Sequence, residues 1–364
     1  MTSETNIGLA ETTEKLVSMS LGASASKSEA KAGTTEKFCS ACGKSGTNLK
    51  KCTACKCLYY CDVICQKSHR EEHKWECKRI RKVLEKRGDK ESASPLEALG
   101  DIPQREECPI CMRPLPHIKR LHQYQACCGK RICGGCGHAQ ILAVNDHLIR
   151  KRAKGMDLPE YSCAFCRAPD VTSDEEAKIR MMIRAEKNDA GAIAELASQF
   201  EAGAHGMPLD KTKSFEFRTR AANLGDEDSC FAIGFSYHTG SGVVRDKAKG
   251  WTYLERAAKK GHIFAGLVLG HIEISCGNHR TAMRHWRVAA ACGGKVAAEE
   301  LVTCYELGYI RHGDLAESLQ ARDNAFNDHK SEARDAWLKF LEKTGQLNAD
   351  DEIKAQRMFA RRYG

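Results

Sequence analysis

Cysteine is the residue type that most constrains how this chain folds. The chain has 20 cysteines among its 364 residues, and 16 of them lie between Cys39 and Cys166. The N-terminus lacks the basic and then apolar pattern of a secretory signal, and Glu4, Glu11 and Glu14 argue against an acid-poor transit peptide. The sequence therefore predicts a cytoplasmic or nuclear protein. Its clustered cysteines, many of them in C-x-x-C pairs, are predicted to bind metal rather than to form disulfides.

The excess of basic residues is a weak argument for a nucleic acid or a membrane partner. Lys and Arg number 57 and Asp and Glu 48, which gives a formal net charge of +9. Thiols are deprotonated when they bind zinc, so fifteen thiolates on four Zn²⁺ ions would leave a net charge of about +2. The Cys-rich blocks lack interleaved basic and aromatic residues, and no run reaches the roughly 20 apolar residues of a membrane span. We expect protein partners, no membrane association and no nucleic-acid binding.

The first cysteine-rich block supplies eight zinc ligands. They are Cys39, Cys42, Cys52, Cys55, Cys61, Cys65, His73 and Cys77. Eight ligands fill two tetrahedral sites and leave no open position for water, which makes the metal structural. The pairs Cys61/Cys65 and His73/Cys77 are four residues apart, which predicts that each pair lies on one helix face. Because so small a module buries little core, zinc would supply its folding energy.

With its Tyr60-Cys61 and Cys65-Gln66 pairs, this block resembles the MYND zinc finger over residues 38–77. The resemblance implies that the ligands of the two sites alternate along the chain. One zinc would be bound by Cys39, Cys42, Cys61 and Cys65, and the other by Cys52, Cys55, His73 and Cys77.

Two features of this block are left open by the resemblance. Cys57 is either an unligated thiol or a substitute for Cys55. Members of the family bind proline-containing peptides with the Gln after the sixth ligand, here Gln66, and with a Trp three residues before the His. This chain has Arg70 at the Trp position and its tryptophan at Trp75, a departure that argues against peptide binding of that kind.

The second cysteine-rich block, over residues 106–170, resembles a RING finger. Its cysteines are Cys108, Cys111, Cys127, Cys128, Cys133, Cys136, Cys163 and Cys166. By analogy with that family, one zinc would be bound by Cys108, Cys111, Cys133 and Cys136. The other would be bound by Cys163 and Cys166 with two ligands from the middle of the block.

The middle of this block departs from the usual C-G-H of the RING pattern. The chain reads Cys128-Gly129-Lys130, and an ammonium group has no lone pair to offer a metal. Cys127 is the natural replacement. Two adjacent cysteines on one zinc are geometrically tight, so His122 and His138 remain alternatives at this stage.

RING ligases hold a ubiquitin-conjugating enzyme and do no covalent chemistry themselves. The positions that match the family's contact residues are Ile110 in the first C-x-x-C loop, Arg167 beside the last ligand, and Pro169. The planar guanidinium of Arg167 could donate to both ubiquitin and the enzyme. For Ile110 and Pro169 the alternative is local packing of the zinc loops. The customary Trp before the seventh ligand is absent.

From about residue 172 the chain becomes alanine-rich and repetitive. Leu196, Ile233, Leu269 and Leu301 begin equivalent segments 37, 36 and 32 residues apart. A second anchor, at Ala221, Ala257 and Ala289, repeats at 36 and 32 residues. Two anchors that keep one period predict stacked helical hairpins. In the best unit, Asp246 is a predicted N-cap and Gly261 a predicted left-handed C-terminal cap. The four residues missing from the third unit fall in its inter-helix turn.

These segments resemble Sel-one-like repeats over about 188–328. The resemblance implies an α-solenoid that binds proteins and has no catalytic residues. The small Ala and Gly positions predict close approach of neighbouring helices. We interpret the large aromatic side chains as core residues, with ligand contact as the alternative: Phe200, Tyr237, Trp251, Trp286 and Tyr305.

The fold class predicted is mainly α: an α-solenoid preceded by two small zinc-stabilised modules. The predicted order is a disordered tail (1–37), the MYND-type finger (38–77), a helix and linker (78–105), the RING-like finger (106–170), the solenoid (171–328) and a C-terminal helical cap (329–364). Because the zinc sites are closed, chelation is predicted to unfold residues 38–170 while the repeats after 188 stay helical.

Three functions are compatible with this organisation. The first is an adaptor-type ubiquitin ligase, whose repeats hold a substrate or partner and whose RING-like block recruits a ubiquitin-conjugating enzyme. The second is a non-enzymatic scaffold that assembles proteins through the MYND-type module and the solenoid. The third, nucleic-acid binding, is disfavoured by the charge. Either of the first two needs zinc, about four ions, and no catalytic residue of its own.

Overall fold

The computed structural model describes residues 37–88, 93–97, 99, 102–115, 121–153, 162–163, 165–169, 171 and 173–344, with backbone alone for 145–153 and 342. Of the predicted N-terminal tail only Lys37 lies within this range, and of the predicted C-terminal cap only residues 329–344. Within the described residues, none of the helices is both long and apolar enough to cross a bilayer.

Helices dominate the described residues, and the predicted mainly α fold is confirmed. Two short antiparallel hairpins interrupt them, with Lys50 opposite Tyr60 and His122 opposite Cys133. In chain order the elements are β1 Lys50–Lys51, β2 Tyr59–Tyr60, α1 Val63–Ser68, α2 Arg70–Arg87, β3 His122–Tyr124, β4 Arg131–Cys133, α3 Gly134–Ala153, α4 Asp174–Glu186, α5 Ala190–Ala202, α6 Lys211–Asn223, α7 Glu227–Thr239, α8 Lys247–Lys259, α9 Ile263–Ser275, α10 His279–Ala291, α11 Lys295–Leu307, α12 His312–Asp328 and α13 Glu332–Lys343.

The chain divides into two compact units, and each is assembled from separate stretches of sequence. The first contains the described parts of Glu106–Leu224 and Lys330–Leu347, and so joins the second cysteine-rich block to α4–α6 and α13. The second contains the described parts of Thr34–Arg105 and Gly225–His329, and so joins the first cysteine-rich block to α7–α12.

The repetitive part of the chain forms helical hairpins, as its period predicts. The first compact unit contains the hairpin α5–α6, and the second compact unit contains the hairpins α7–α8, α9–α10 and α11–α12. Each helix from α5 to α11 has 13 residues, whereas α12 has 17. The turn of the third hairpin is residues 276–278, against 240–246 in the second. The predicted short turn of the third hairpin is therefore confirmed.

The predicted caps are also confirmed in the second hairpin. The Asp246 carboxylate accepts a hydrogen bond from the N–H of Lys249 at 3.0 Å, which satisfies one orphan donor at the start of α8. Gly261, beyond the end of the same helix, has φ +85°, the left-handed conformation that a C-terminal cap requires.

Small residues let the two helices of a hairpin approach closely. A Cβ placed on Gly234 of α7 would lie 2.8 Å from the N atom of Leu254, and one on Gly250 of α8 would lie 2.9 Å from the O atom of Gly234. Neither position has room for a side chain. Of the five aromatic residues assigned to the core, Phe200, Trp286 and Tyr305 are buried, and Tyr237 and Trp251 are half-buried.

The first cysteine-rich block shares one hydrophobic core with the last repeats of the second unit. Leu58 and Tyr60 from the block, and Ile80 of the helix α2 that ends it, lie in the same cluster of buried side chains as Leu301 of α11 and Leu315 of α12. Its long helix α2 packs on α11. The block therefore obtains from the repeats the buried apolar surface that it is too small to supply itself.

In the first unit, the C-terminal helix α13 packs against α3. The predicted cap is helical over Glu332–Lys343, but its ring contacts are made with the second cysteine-rich block: His138 of α3 lies 4.9 Å from Trp337 and 4.7 Å from Phe340, between ring centroids. Glycines at the start of α3 permit this approach, since a Cβ on Gly135 would lie 2.6 Å from the backbone N of Arg334.

We predict that Gly135→Ala detaches α13 from α3. The new methyl group meets backbone rather than a flexible side chain, and overpacking of this kind costs about 1–3 kcal/mol. Hydrogen exchange over 332–343 should become faster. Gly137→Ala is the matched control, because its Cβ meets only the end of the Gln123 side chain, at 2.5 Å from Oε1. Equal exchange rates in the two variants would contradict the close approach.

Candidate metal centres

Four C-x-x-C pairs adopt the same tight turn. The residue after the second cysteine donates its N–H to the C=O of the first, over 2.8–3.1 Å, in Cys39–Gly43, Cys52–Lys56, Cys108–Met112 and Cys163–Arg167. That residue has φ between +52° and +74° in all four turns, although three of the four are not glycine. A positive φ at a long side chain is uncommon. The turn directs the two sulfur atoms of a pair towards a common metal position.

The four turns contribute to four quartets of donor atoms. The quartets are Cys39/Cys42/Cys61/Cys65, Cys52/Cys55/His73/Cys77, Cys108/Cys111/Cys133/Cys136 and Cys127/Cys128/Cys163/Cys166. Within each quartet the ligand atoms all lie within 4.8 Å of one another. The sixteen predicted ligands thus lie together in the interleaved grouping that the two resemblances imply, and their binding of zinc stays a prediction.

The spacing of the sulfur atoms suits zinc. Cys42 and Cys61 have their Sγ atoms 3.6 Å apart, Cys52 and Cys77 3.7 Å, and Cys111 and Cys133 3.9 Å. A tetrahedron with Zn–S bonds of about 2.3 Å needs sulfurs about 3.8 Å apart, and a disulfide bond is far shorter. Thiolate and imidazole donors in closed sets of four are the donors of structural zinc. The chain thus has about four sites suited to zinc.

The two i, i+4 pairs of the first block behave differently. His73 and Cys77 both lie on α2, as predicted, and His73 Nε2 is 3.2 Å from Cys55 Sγ. Cys61 lies before α1, which begins at Val63, so only Cys65 of the other pair is helical. Asp62 between them caps α1 through the N–H of Cys65, at 2.9 Å. An N-cap that stops the helix short of Cys61 is the reason for the difference.

The fourth quartet contains Cys127. Its partner Cys128 has Sγ 3.7 Å from that of Cys163, and neither His122 nor His138 belongs to a quartet among the described residues. His122 lies in β3, and His138 packs between the rings of α13. The adjacent cysteines therefore both face the site, which the sequence left open.

Without a cation, the cysteines of a quartet compete for negative charge. Side-chain contacts with Cys111, Cys133 and Cys136 lower the pKa of the Cys108 thiol, and the contact with Cys108 raises the pKa of Cys136. In the second quartet, contacts with Cys55 and Cys77 lower the pKa of Cys52. A divalent cation removes this competition because it favours all the thiolates together, so zinc binding would release protons.

A buried charged network supports the ligand His73. Its Nδ1 lies 3.6 Å from Oε2 of Glu76, which in turn pairs with the guanidinium of Arg322 on α12, with Nη2 3.2 Å from Oε2. Arg322 also pairs with Asp323 at 2.7 Å. Burial alone would raise the pKa of the Glu76 carboxyl, but Arg322 and His73 together outweigh burial and hold the pKa at about 2.

This network packs against the non-ligating side of the predicted ligand His73. A carboxylate beside the non-ligating nitrogen of a histidine orients the ring and raises the basicity of the ligating nitrogen. Glu76 supplies that carboxylate, and a repeat helix supplies its counter-ion. Arg322 is not predictable from the sequence, because it lies 246 positions from Glu76 and no spacing rule connects residues so far apart.

Arg334 has a comparable position in the first unit. It is buried on α13, and its Nη2 lies 3.6 Å from Sγ of Cys111 and 3.5 Å from the O atom of Arg113. Burial would lower the pKa of its guanidinium, but contact with the Cys133 thiol raises it overall. A cation beside the third quartet offsets part of the negative charge of four thiolates on one Zn²⁺.

Cys57 and Gln66 have structural contacts close to the second quartet. Cys57 is buried outside the quartet, and its Sγ lies 3.3 Å from Nε2 of His312. Gln66 donates its side-chain N–H to Sγ of Cys52 at 3.6 Å. The amide of Gln66 therefore points at a zinc ligand, and its role in binding a partner stays a prediction. Trp75 is 44% exposed and stacks under Arg79.

The three predicted contact residues of the second block lie near its zinc turns. Ile110 is half-buried against the cluster of Cys108 and Leu115. Arg167 is exposed beside Cys166, and Pro169 is exposed with its C=O accepting from Arg180 at 2.8 Å. Their role in binding a ubiquitin-conjugating enzyme stays a prediction.

Two family models match parts of this chain. The MYND finger model matches residues 39–77. The Sel1 repeat model matches residues 190–226 and 227–262. These ranges coincide with the first two quartets and with the hairpins α5–α6 and α7–α8. The chain thus combines a MYND-type finger with Sel1 repeats, as the sequence predicts.

Curated relatives match over a short stretch only. SET domain-containing protein 14 of Caenorhabditis elegans is 43% identical over 88 residues, which are 24% of this chain and 20% of that protein. Histone-lysine N-methyltransferase ASHR1 of Arabidopsis thaliana is 44% identical over 50 residues, 14% of this chain and 10% of its own length. The chain thus spans a fifth or less of either relative.

Two solved structures resemble parts of the fold. A Sel1 repeat protein from Oxalobacter formigenes is 25% identical with a TM-score of 0.32, and the match covers 34% of this chain and 96% of that one. The protective antigen c5321 of uropathogenic Escherichia coli, described as an SLR fold, is 19% identical with a TM-score of 0.36, over 63% of this chain and 47% of that one.

Proposed function

We propose that this chain is a zinc-stabilised protein-interaction adaptor whose RING-like block engages a ubiquitin-conjugating enzyme, while the repeats and the MYND-type finger hold the substrate or partner. The MYND finger and Sel1 repeat matches support the adaptor. All sixteen proposed ligands are used in closed quartets, so the metals would stabilise shape rather than activate water.

The grouping of the last two quartets is the observation that supports binding of a ubiquitin-conjugating enzyme. Cys108 and Cys111 group with Cys133 and Cys136, and the cysteines between these two pairs group with Cys163 and Cys166. This alternation is the cross-brace of the RING pattern. Arg167 is exposed directly after the last cysteine, where a guanidinium could reach a partner's carbonyl groups.

A non-enzymatic scaffold is the second candidate. It is favoured by the half-buried position of Ile110, which packs inside its own module. It is also favoured by the shared core of the finger and the last repeats, which needs no ubiquitin chemistry to explain it. Under this reading the RING-like block is one more docking surface.

Ubiquitin discharge separates the two candidates. The zinc-loaded chain is mixed with a panel of ubiquitin-charged conjugating enzymes, and discharge to free lysine is followed. We expect acceleration with at least one enzyme. In the Arg167→Ala variant the discharge rate should fall about tenfold or more, because a multi-donor contact with ubiquitin and the enzyme is removed. Binding of the conjugating enzyme itself should be weakened less.

The control is Arg81→Ala, which removes an exposed arginine of α2 whose partner is Glu85 at 3.4 Å. It should leave discharge unchanged. If a chain with its full zinc complement accelerates discharge from none of the enzymes, the ligase proposal fails and the scaffold stands. If Arg81→Ala and Arg167→Ala lower the rate equally, the effect is one of general charge and Arg167 has no specific role.

A further inference from the structure

Residues 95–97 lie as a peptide across the second helices of two consecutive hairpins. Arg280 of α10 donates to the C=O of Pro95 at 2.7 Å, and Arg287 of the same helix donates to the C=O of Glu97 at 2.6 Å. Between them, the N–H of Leu96 donates to the Asp314 carboxylate of α12 at 3.2 Å. Three consecutive residues are thus held through their backbone.

Only one side chain of this segment is buried. Leu96 is 7% exposed and belongs to the hydrophobic cluster of the second unit, whereas Ser94, Pro95 and Glu97 are exposed. The Glu97 carboxylate lies 3.0 Å from Nη2 of Arg284, an exposed pair. The segment is therefore held by three backbone hydrogen bonds, by burial of the Leu96 side chain and by one exposed ion pair.

The helix surface is built to receive such a segment. Arg280, Arg284 and Arg287 are spaced four and three residues apart, which places them on one face of α10. Arg287 is 2% exposed, and its other contacts are Glu317 at 2.5 Å and Ser318 at 3.1 Å. A buried guanidinium is costly unless its donors are satisfied, so this one requires an acceptor where the C=O of Glu97 lies.

We propose that this face of α10 and α12 is a docking site for an extended peptide of a partner protein, and that residues 95–97 occupy it in cis. The peptide would carry a leucine-sized apolar residue followed by an acidic one, because those are the two side chains the site contacts. Recognition through the backbone tolerates other sequence changes, which is how extended peptides are bound elsewhere. The proposal does not depend on ubiquitin transfer.

A peptide with the sequence of residues 92–101, labelled with a fluorophore, tests the proposal on the full zinc-loaded chain. Leu96→Ala in the chain weakens the resident segment and leaves the receiving helices unchanged. We expect the labelled peptide to bind this variant at least tenfold more tightly than the wild-type chain, as measured by fluorescence anisotropy. The same peptide with aspartate in place of its leucine should not bind.

A charge exchange keeps the test decisive if Leu96→Ala disturbs the core. Arg284→Glu changes only an exposed side chain and repels the resident Glu97. This variant should prefer a peptide with arginine at the Glu97 position several-fold over the original peptide, and the Leu96→Ala variant should show the reverse preference. Equal binding of the two peptides to Arg284→Glu, or no binding above a scrambled peptide in either variant, overturns the proposal.

Discussion

Removing zinc is expected to destabilise the last repeats together with the MYND-type finger. Structural zinc contributes about 10–16 kcal/mol to small zinc modules, and this finger shares its buried cluster with α11 and α12. The sequence alone predicts that chelation leaves all repeats after residue 188 helical. The shared core leads to a different expectation, because loss of the finger exposes Leu301 and Leu315 to water.

Hydrogen exchange resolves which helices respond. After chelation we expect faster exchange in α2, α11 and α12, and smaller changes in α7 and α8, whose hairpin contacts include neither zinc ligands nor α2. Readdition of zinc should restore protection. The hairpin α7–α8 serves as the internal control. Unchanged protection of α11 and α12 in a fully chelated sample would show that the repeats do not depend on the finger.

Replacing Arg322 by methionine is expected to cost about 3–5 kcal/mol of stability, the usual result when one member of a buried ion pair is removed. Methionine replaces the unbranched stem of the side chain but not its guanidinium, and it leaves Glu76 and Asp323 buried without their counter-ion; these residues are 5% and 4% exposed. Because Glu76 lies beside His73, zinc affinity should also fall, by about 10–100-fold as when other partners that orient a metal ligand are removed.

The matched control is Arg79→Met. Arg79 also joins α2 to a repeat helix, through a forked contact with Glu306, but both side chains are partly exposed, at 25% and 34%. An exposed pair contributes roughly 0–1 kcal/mol. Stability is measured by urea unfolding in excess zinc, and affinity by competition with a chromogenic chelator. If both variants lose stability equally, burial of the Arg322 network is not what matters.

A double variant isolates the interaction itself. Glu76→Gln combined with Arg322→Met removes one of the two unpaired charges, that of Glu76, and leaves that of Asp323. Part of the lost stability should therefore return while zinc affinity stays low. Recovery of both quantities would mean that Glu76 does not orient His73. No recovery of stability would mean that the stranded Glu76 carboxylate is not the source of the cost of Arg322→Met.

Local chemistry explains why so much of the zinc sites is predictable from sequence. A C-x-x-C pair reaches one metal through a turn of five residues, and His73 and Cys77 share a face because both lie on α2. The interleaved grouping came from the resemblance to known fingers, and the structure reproduces it. The choice of Cys127 over His122 or His138 needed the tertiary structure, since it depends on where β3 and α13 lie.

The repeats also combine features that the sequence predicts with contacts that only the tertiary structure reveals. Their period, the Asp246 cap and the short third turn are visible in the sequence because each depends on residues within one hairpin. The contacts of residues 95–97 with α10 are not visible, since three arginines on one helix face are normally a solvated surface. The resident segment is what distinguishes a docking surface from an ordinary charged one.

The sequence by itself determined the mainly α fold, the hairpin repeat and every candidate ligand residue except the choice between Cys127 and a histidine, because these follow from spacing and periodicity over a few tens of residues. Only the tertiary structure decided that the first finger shares a core with α11 and α12, that Arg322 pairs with Glu76 beside His73, and that Arg334 lies beside Cys111. Those contacts join residues more than 200 positions apart, and their partners are chosen by burial and charge compensation, which no local pattern encodes.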